Sequence, residues 1–349
     1  MRKTPRDPLR LDLISLFARV QEMDISSLQD AATRAAFISK LKDTLEATSK
    51  QESVLHGIRT QNMFQALVLA LGDVRLIKEE DSGDVYSSLT DMRVPDFHIV
   101  SSDNSHFLVE VKNHFTTRNS PTKEYRCTLP YLASLEAFGN LVGLPVKLAI
   151  FWASLNLWSL VPAFILDRGA THATLTFERA MKFNEMELLG DLMIGTEPPL
   201  VFRLVADQTQ PSSIDASGYV QFTVGSVQLL CADKIITDSI EQSLAWFFML
   251  YGQWRHIEQK ANTIGDRFVS LDTILSPEEK SGNNFELLGC LSQMFSSYYL
   301  NLTSKNGAID RLKIHVDPGY IGRMIPQTYK GKVLRLWRFK VRPASRRDP

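Results

Sequence analysis

The spacing of apolar positions changes period along the chain, and each change marks an element. In HGIRTQNMFQALVLALG, from His56 to Gly72, the residues Ile58, Met63, Phe64, Leu67, Val68 and Leu71 recur at three- and four-residue intervals. This predicts an amphipathic helix, with Gly72 as its stop. Residues 1–50 before it read as polar and helical, closing in KDTLEATSKQES. DVRLIKEE predicts a strand, and DSGDVYSSLTD, full of turn residues, a loop. RVPDFHIVSSDNSHFLVEVKNHF then alternates apolar and polar residues on either side of a polar turn, the pattern of a hairpin. NHFTTRNSPTKEYR reads as a polar loop and LPYLASLEAFGNLVGL as an amphipathic helix ended by Gly and Pro. VKLAIFWA and LWSLVPAFI predict two buried strands. The 19 residues Leu148–Leu166, which run through both, carry no charge. That is long enough to cross a bilayer. Ser154, Asn156, Ser159 and Pro162 interrupt the stretch, so a strand pair turning at Ser154–Asn156 is the better reading.

Farther on, TFERAMKFNEMELLGDLMIG reads as helical, and PPLVFRLVAD and YVQFTVGSVQLLCADK as strands. DSIEQSLAWFFMLYGQWRHIEQKAN and NNFELLGCLSQMFSSYYLNLTSK read as long helices, and KGKVLRLWRFKVRP as a closing strand. The expected organisation is a helical segment over 1–50, an α/β core over 51–170 and an α+β region over 171–349. The boundary falls near 167–175. No internal repeat is present.

The hairpin carries the chemistry. With SSDNS as a five-residue loop, Val100 pairs with His106 and Asp96 falls opposite Glu110. One face then holds Phe97, Ile99, Phe107, Val109 and Val111, all apolar. The other holds Asp96, His98, Val100, His106, Leu108, Glu110 and Lys112. A one-residue slip would mix the faces. Side chains directly across a strand pair sit about 5 Å apart, where like charges repel. Two such carboxylates either raise one pKa or require a cation. Mg²⁺ takes oxygen ligands, often one or two carboxylates plus waters and phosphate. Lys112, two residues past Glu110, shares its face and reaches the same water or phosphate. A metal that acidifies water, beside a lysine that offsets developing charge, suits phosphodiester hydrolysis. Two other readings stand beside this one: an ordinary hairpin with a wet polar face, and a transition-metal site built from His98, His106 and His114.

Pro95-Asp96, a gap of thirteen residues and then Glu110-Val111-Lys112 resemble the PD-(D/E)xK motif of the restriction-endonuclease-like nuclease superfamily. The helix, three strands, helix and strand expected over 52–152 match the order of that core, and the resemblance spans about a third of the chain. It implies a restriction-endonuclease-like core, a mixed sheet flanked by helices, with the α+β region appended. It also implies Asp96 and Glu110 as metal ligands, the Val111 carbonyl as a third, Lys112 as the catalytic lysine, and Mg²⁺ (or Mn²⁺) as cofactor. Many members add an acid from the first helix. Here that helix offers Gln61 and Gln65, so Glu52 or Asp84 is the alternative acid. His56 is a weaker helix-borne candidate, and Glu136 reads as solvated. The activity implied is a metal-dependent DNA endonuclease, in restriction, antiviral defence or DNA repair. The competing reading is a catalytically degenerate nuclease fold that binds DNA or serves assembly; RNA and branched DNA remain open as substrates.

Charge adds a partner. The formal net charge is zero, but residues 301–349 hold twelve Lys or Arg against three Asp or Glu. In the closing strand Arg338, Lys340 and Arg342 alternate with Trp337, Phe339 and Val341. With Arg118, Lys123 and Arg126 of the polar loop, these are the expected contacts to duplex DNA. A charged edge strand that discourages aggregation explains the same alternation. Cutting both strands of a duplex suggests a homodimer. No phosphate-binding P-loop, GxGxxG, HExxH or GxSxG is present, so an ATPase or trigger would have to come from a partner protein. Cys127, Cys231 and Cys290 are too few and too scattered for a disulfide framework or a cysteine zinc site. With no apolar leader in MRKTPRDPLRLDLISLF, a cytoplasmic protein without membrane association is expected.

Overall fold

Among the described residues the first helices are α1 (Pro8–Gln21) and α2 (Ala31–Ser49), joined by an edge-on contact between Phe17 and Phe37 with centroids 5.0 Å apart. The expected amphipathic helix follows as α3 (Glu52–Leu71), and Gly72 closes it at φ 77°. Gly72 also lets another segment come close, since a Cβ there would sit 2.8 Å from the Gly319 Cα. The computed structural model describes residues 1, 8–21, 29–81, 85–88, 91–117, 119–279, 281–282, 284–326 and 328–344.

Strands β1 (Val74–Glu79), β2 (Phe97–Ser101) and β3 (His106–His114) form an antiparallel meander, and β4 (Tyr125–Thr128) leads into helix α4 (Leu129–Val142). Strands β5 (Val146–Trp152) and β6 (Leu157–Pro162) complete a five-stranded sheet of order β1-β2-β3-β5-β6. The β3–β5 pair is parallel and the others antiparallel, so the sheet is mixed. The β2–β3 register is the one expected from the alternation, with Val100 opposite His106 and Phe97 opposite Val109. The loop holds it through Asp103, whose Oδ1 accepts from Ser101 Oγ (2.6 Å) and the Ser105 amide (2.9 Å), with Asn104 at φ 66°. The uncharged stretch is the β5–β6 hairpin. Among the described residues no helix is long and apolar enough to cross a membrane.

The chain continues through β7 (Asp167–Arg168), β8 (His172–Leu175), the short helix α5 (Phe177–Lys182), β9 (Met193–Thr196), β10 (Leu200–Ala206), β11 (Val224–Cys231) and β12 (Lys234–Ile235). Helix α6 (Ser239–Tyr251), β13 (His256–Ile264), β14 (Arg267–Ser276), β15 (Glu286–Cys290), α7 (Leu291–Thr303), the small β16 (Ser304–Lys305) and β17 (Ala308–Ile309), α8 (Tyr320–Met324) and β18 (Leu336–Phe339) follow. Strands β12-β11-β10-β14-β13 make an antiparallel sheet, β15-β9-β18 a second, and β4 pairs with β8. From β1 onward the described chain is mixed α/β.

Three expectations are corrected. The long helix over 238–262 is α6 followed by β13: Gly252 leaves the helix with extended backbone (ψ 171°), and His256–Asn262 pair with β14. The long helix over 283–305 is β15 followed by α7. There Gly289 takes φ 120°, the register against β9 shifts, and the chain turns into the helix. The stretch 176–195 holds one short helix, a 3₁₀ turn at Met186–Leu189 and β9. In each case strand pairing outweighs local helix preference. The polar loop after β3 also ends earlier than expected, in β4.

Two apolar clusters lie on opposite faces of the mixed sheet. Phe97, Ile99, Phe107, Val109 and Val111 join Met63, Phe64 and Leu67 of α3, and the same cluster runs on through Trp158 to Leu200, Phe248 and Phe295. Leu108, Leu148 and Ile150 pack instead with Leu132 and Leu135 of α4. Strand β3 is therefore buried on both faces from Phe107 to Val111. Gly139 brings α4 against the start of β5, since a Cβ there would sit 2.7 Å from both the Leu144 carbonyl oxygen and Val146 Cγ2. Phe64 is fully buried between Phe97 (5.9 Å) and Trp158 (5.4 Å). Phe64→Ala should lower unfolding free energy by about 3–5 kcal/mol, read from urea denaturation.

Candidate active site

Asp96 sits where the β2–β3 ladder stops. Continuing the register would place Pro95 opposite Val111, and proline has no amide to give. The Val111 amide instead donates to Asp96 Oδ2 at 2.7 Å. The amide and carbonyl of one strand residue leave on the same edge, so the Val111 carbonyl also faces the Asp96 side. Gln61 of α3 donates through Nε2 to Asp96 Oδ1 at 3.1 Å. The Asp96 carbonyl accepts from the Glu80 amide at 3.0 Å, which ties the residue to the end of β1.

Glu110 is buried, with 6% of its surface exposed. Its Oε1 accepts from Lys112 Nζ at 2.6 Å and from the Tyr131 hydroxyl. Lys112 Nζ also donates to the Tyr131 oxygen at 2.6 Å. Tyr131 comes from the first turn of α4, where Thr128 caps the helix by accepting from the Tyr131 amide. Burial and the Glu110 charge push its phenol far above the ordinary range, so it stays protonated and donates. Arg93 lies over the Tyr131 ring at 5.3 Å and Lys112 Nζ is 4.6 Å from the ring centroid. Tyr131 and Arg93 were not singled out from sequence.

Burial, then the Glu110 charge, pushes the Asp96 carboxyl up to about 7; the Val111 amide and Lys112 oppose this, and Asp81 adds to it. Asp81, two residues past the end of β1, is a contributor the hairpin pattern does not point to. Two mutually repelling carboxylates, one of them almost sealed from water, form an oxygen site suited to a small hard cation. Among the described residues no three His, Cys, Asp or Glu side chains converge as a metal centre. The described residues thus offer two carboxylates and a backbone edge.

The other sequence candidates are placed as follows. Gln65, one turn beyond Gln61, donates to Glu79 and accepts from Lys313, both at 3.0 Å. Glu52 is nine residues before Gln61, about 13 Å along the helix axis, and is exposed. His56 Nδ1 lies 3.4 Å from Arg59 Nη2. Asp84 and Arg118 lie outside the described residues. Glu136, expected to be solvated, pairs with Arg168 at 2.5 Å. The three histidines cannot share a metal: the His98 and His106 rings are 5.6 Å apart, but His114 is eight strand residues beyond His106, about 26 Å. His114 instead packs on Trp152 and bonds through Nε2 to the Lys123 carbonyl oxygen (2.7 Å). Lys123 and Arg126 are exposed, Arg126 3.9 Å from Glu124. Arg338 donates to the carbonyls of Pro326 (3.1 Å) and Tyr329 (3.3 Å), and Lys340 pairs with Glu187 at 2.8 Å. Trp337 and Phe339 stack on Phe285 from the opposite face of β18. Arg338 and Lys340 line a cavity of about 600 Å³ near Gly72, to which Asp96, Glu110 and Lys112 do not contribute. Arg342 is exposed.

No protein-family model matches the sequence, and no curated protein matches it. Among solved structures the chain is similar to Hjc, a Holliday junction resolvase from the archaeal hyperthermophile Archaeoglobus fulgidus, at 14% identity. That match covers 39% of this chain and 96% of the other, with a TM-score of 0.29, a level at which the likeness carries no inference.

The raised Asp96 pKa has a thermodynamic signature. The folded state keeps a proton on Asp96 that the unfolded chain releases near its ordinary value of 3.8. This contribution to stability is fully present below that value and is lost as pH rises through about 7. Denaturation of the metal-free protein across this window should show stability falling with pH, and Asp96→Asn should flatten that slope.

Proposed function

We propose that this protein is a metal-dependent nuclease that hydrolyses DNA phosphodiester bonds at the Asp96, Glu110 and Lys112 site. The observation that carries this reading is the carboxylate pair at the broken end of the β2–β3 ladder, Glu110 buried and Asp96 half-buried, with a lysine ammonium 2.6 Å from Glu110. A purely structural hairpin has no use for two repelling carboxylates in a poorly solvated place.

Asp96 and Glu110, with the Val111 carbonyl, are the groups that would hold Mg²⁺, and the same oxygens suit Mn²⁺. When bound, the ion would acidify a water and polarise a phosphoryl oxygen. The rest falls to the chain's own groups. Gln61 and the Val111 amide each fix one Asp96 oxygen and so set the plane of its carboxylate. Tyr131 donates to Glu110 and orients it. Lys112 places a positive charge beside Glu110, where it offsets charge developing on a phosphate. Cleavage of both strands of a duplex takes two such sites, so the working unit we propose is a homodimer.

One observation favours a second reading, a catalytically silent module that binds DNA or serves assembly: the α3 residue that reaches Asp96 is the amide Gln61, not an acid. Plasmid DNA incubated with Mg²⁺, Mn²⁺ or EDTA separates the two. The nuclease reading expects metal-dependent nicking or linearisation, reduced to background in Asp96→Ala and Lys112→Ala proteins whose circular dichroism is unchanged. If the wild type does not cut with either metal, and calorimetry finds no Mg²⁺ binding that Asp96→Ala removes, the nuclease reading fails and the module stands.

A further inference from the structure

Strand β13 is the outer strand of the sheet β12-β11-β10-β14-β13. Among the described residues it pairs with β14 alone, and eight of its nine residues are exposed. It contains no proline, and its register against β14 is regular from His256 to Asn262, shifting only at Thr263. An edge of this length, with one row of backbone amides and carbonyls unpaired among the described residues, is a template for another strand.

The side chains say which strand. Ile257, Gln259 and Ala261 share the sheet face of Leu275, Leu271 and Leu204, the face on which Phe202 meets Trp246 of α6. Apolar groups on this face lack cover: Ile257 is 61% exposed, Val227 56% and Trp246 45%. His256, Glu258, Lys260 and Asn262 share the other face. Two copies related by a two-fold axis can pair only if the edge is complementary to itself.

The regular stretch His256–Asn262 is centred on Gln259. With Gln259 opposite its own counterpart, Glu258 of each copy faces Lys260 of the other, and Ile257 faces Ala261. Moving the register by two residues sets Glu258 against Glu258 or Lys260 against Lys260. Moving it by one lays the apolar face of one copy beside the polar face of the other. Of these registers only the one centred on Gln259 satisfies both charge and face, and the shift at Thr263 ends the regular stretch where that pairing ends.

We propose that β13 is a homodimer interface, joining two copies edge to edge through antiparallel pairing centred on Gln259. It stands on the strand itself and is independent of the activity at Asp96. Sedimentation velocity and light scattering on the full chain test it with charge reversals at two exposed positions. The wild type should form a dimer. Glu258→Lys and Lys260→Glu should each weaken it roughly tenfold or more, because each turns two cross-strand attractions into repulsions. An equimolar mixture of the two variants should recover a dimer, since one copy then carries lysine at both positions and its partner glutamate at both, so that every cross-strand charge pair is again attractive. The double reversal should recover a dimer by itself. A monomeric wild type, a dimer indifferent to the single reversals, or a mixture that stays dissociated would overturn the proposal.

Discussion

The hydrogen bond from the Val111 amide to the Asp96 carboxylate is the constraint around which the site is arranged. Proline at 95 ends the ladder, and an amide in a strand buried on both faces must find another acceptor. The Asp96 side chain meets that need, and in doing so is drawn out of water toward Glu110. Its raised pKa follows from that placement. Gln61 from one side of the sheet and Tyr131 from the other then supply donors that a solvated carboxylate would have taken from water. Both flanking helices are thus tied to the site through one broken strand pair.

The hairpin was legible in the sequence because its apolar residues segregate by parity. Phe97, Ile99, Phe107, Val109 and Val111 fall into one cluster and Leu108 into the other, so only one register buries them all. The α3 stripe was legible for the same reason, with Gly72 closing it. Tyr131 was not. It lies 19 residues beyond Lys112, in a helix whose own spacing needs only an amphipathic residue there, and its role exists only through contact with Glu110. The β13 segment was misread because RHIEQKAN consists mostly of good helix formers and buries almost nothing. Its identity comes from β14, and no local period records that.

The basic C-terminal region was legible as charge and not as use. Lys340 is opposed by Glu187 and Arg338 caps two carbonyls, partners distant or irregular in sequence. The alternation in β18 does reflect two faces, with Trp337 and Phe339 stacked on Phe285 from one of them. An apolar–basic alternation records which way side chains point. It carries no information on whether a cation meets solvent, a carbonyl or a phosphate.

Gly139 gives α4 a mechanical character. The helix touches the start of β5 at a point where even one methyl group has no room, while Tyr131 stands eight residues away, about 12 Å along the axis. The helix is seated on the sheet at Gly139 and holds Glu110 through Tyr131 near its other end. A residue whose only qualification is the lack of a side chain thereby helps decide where the phenol that holds Glu110 stands.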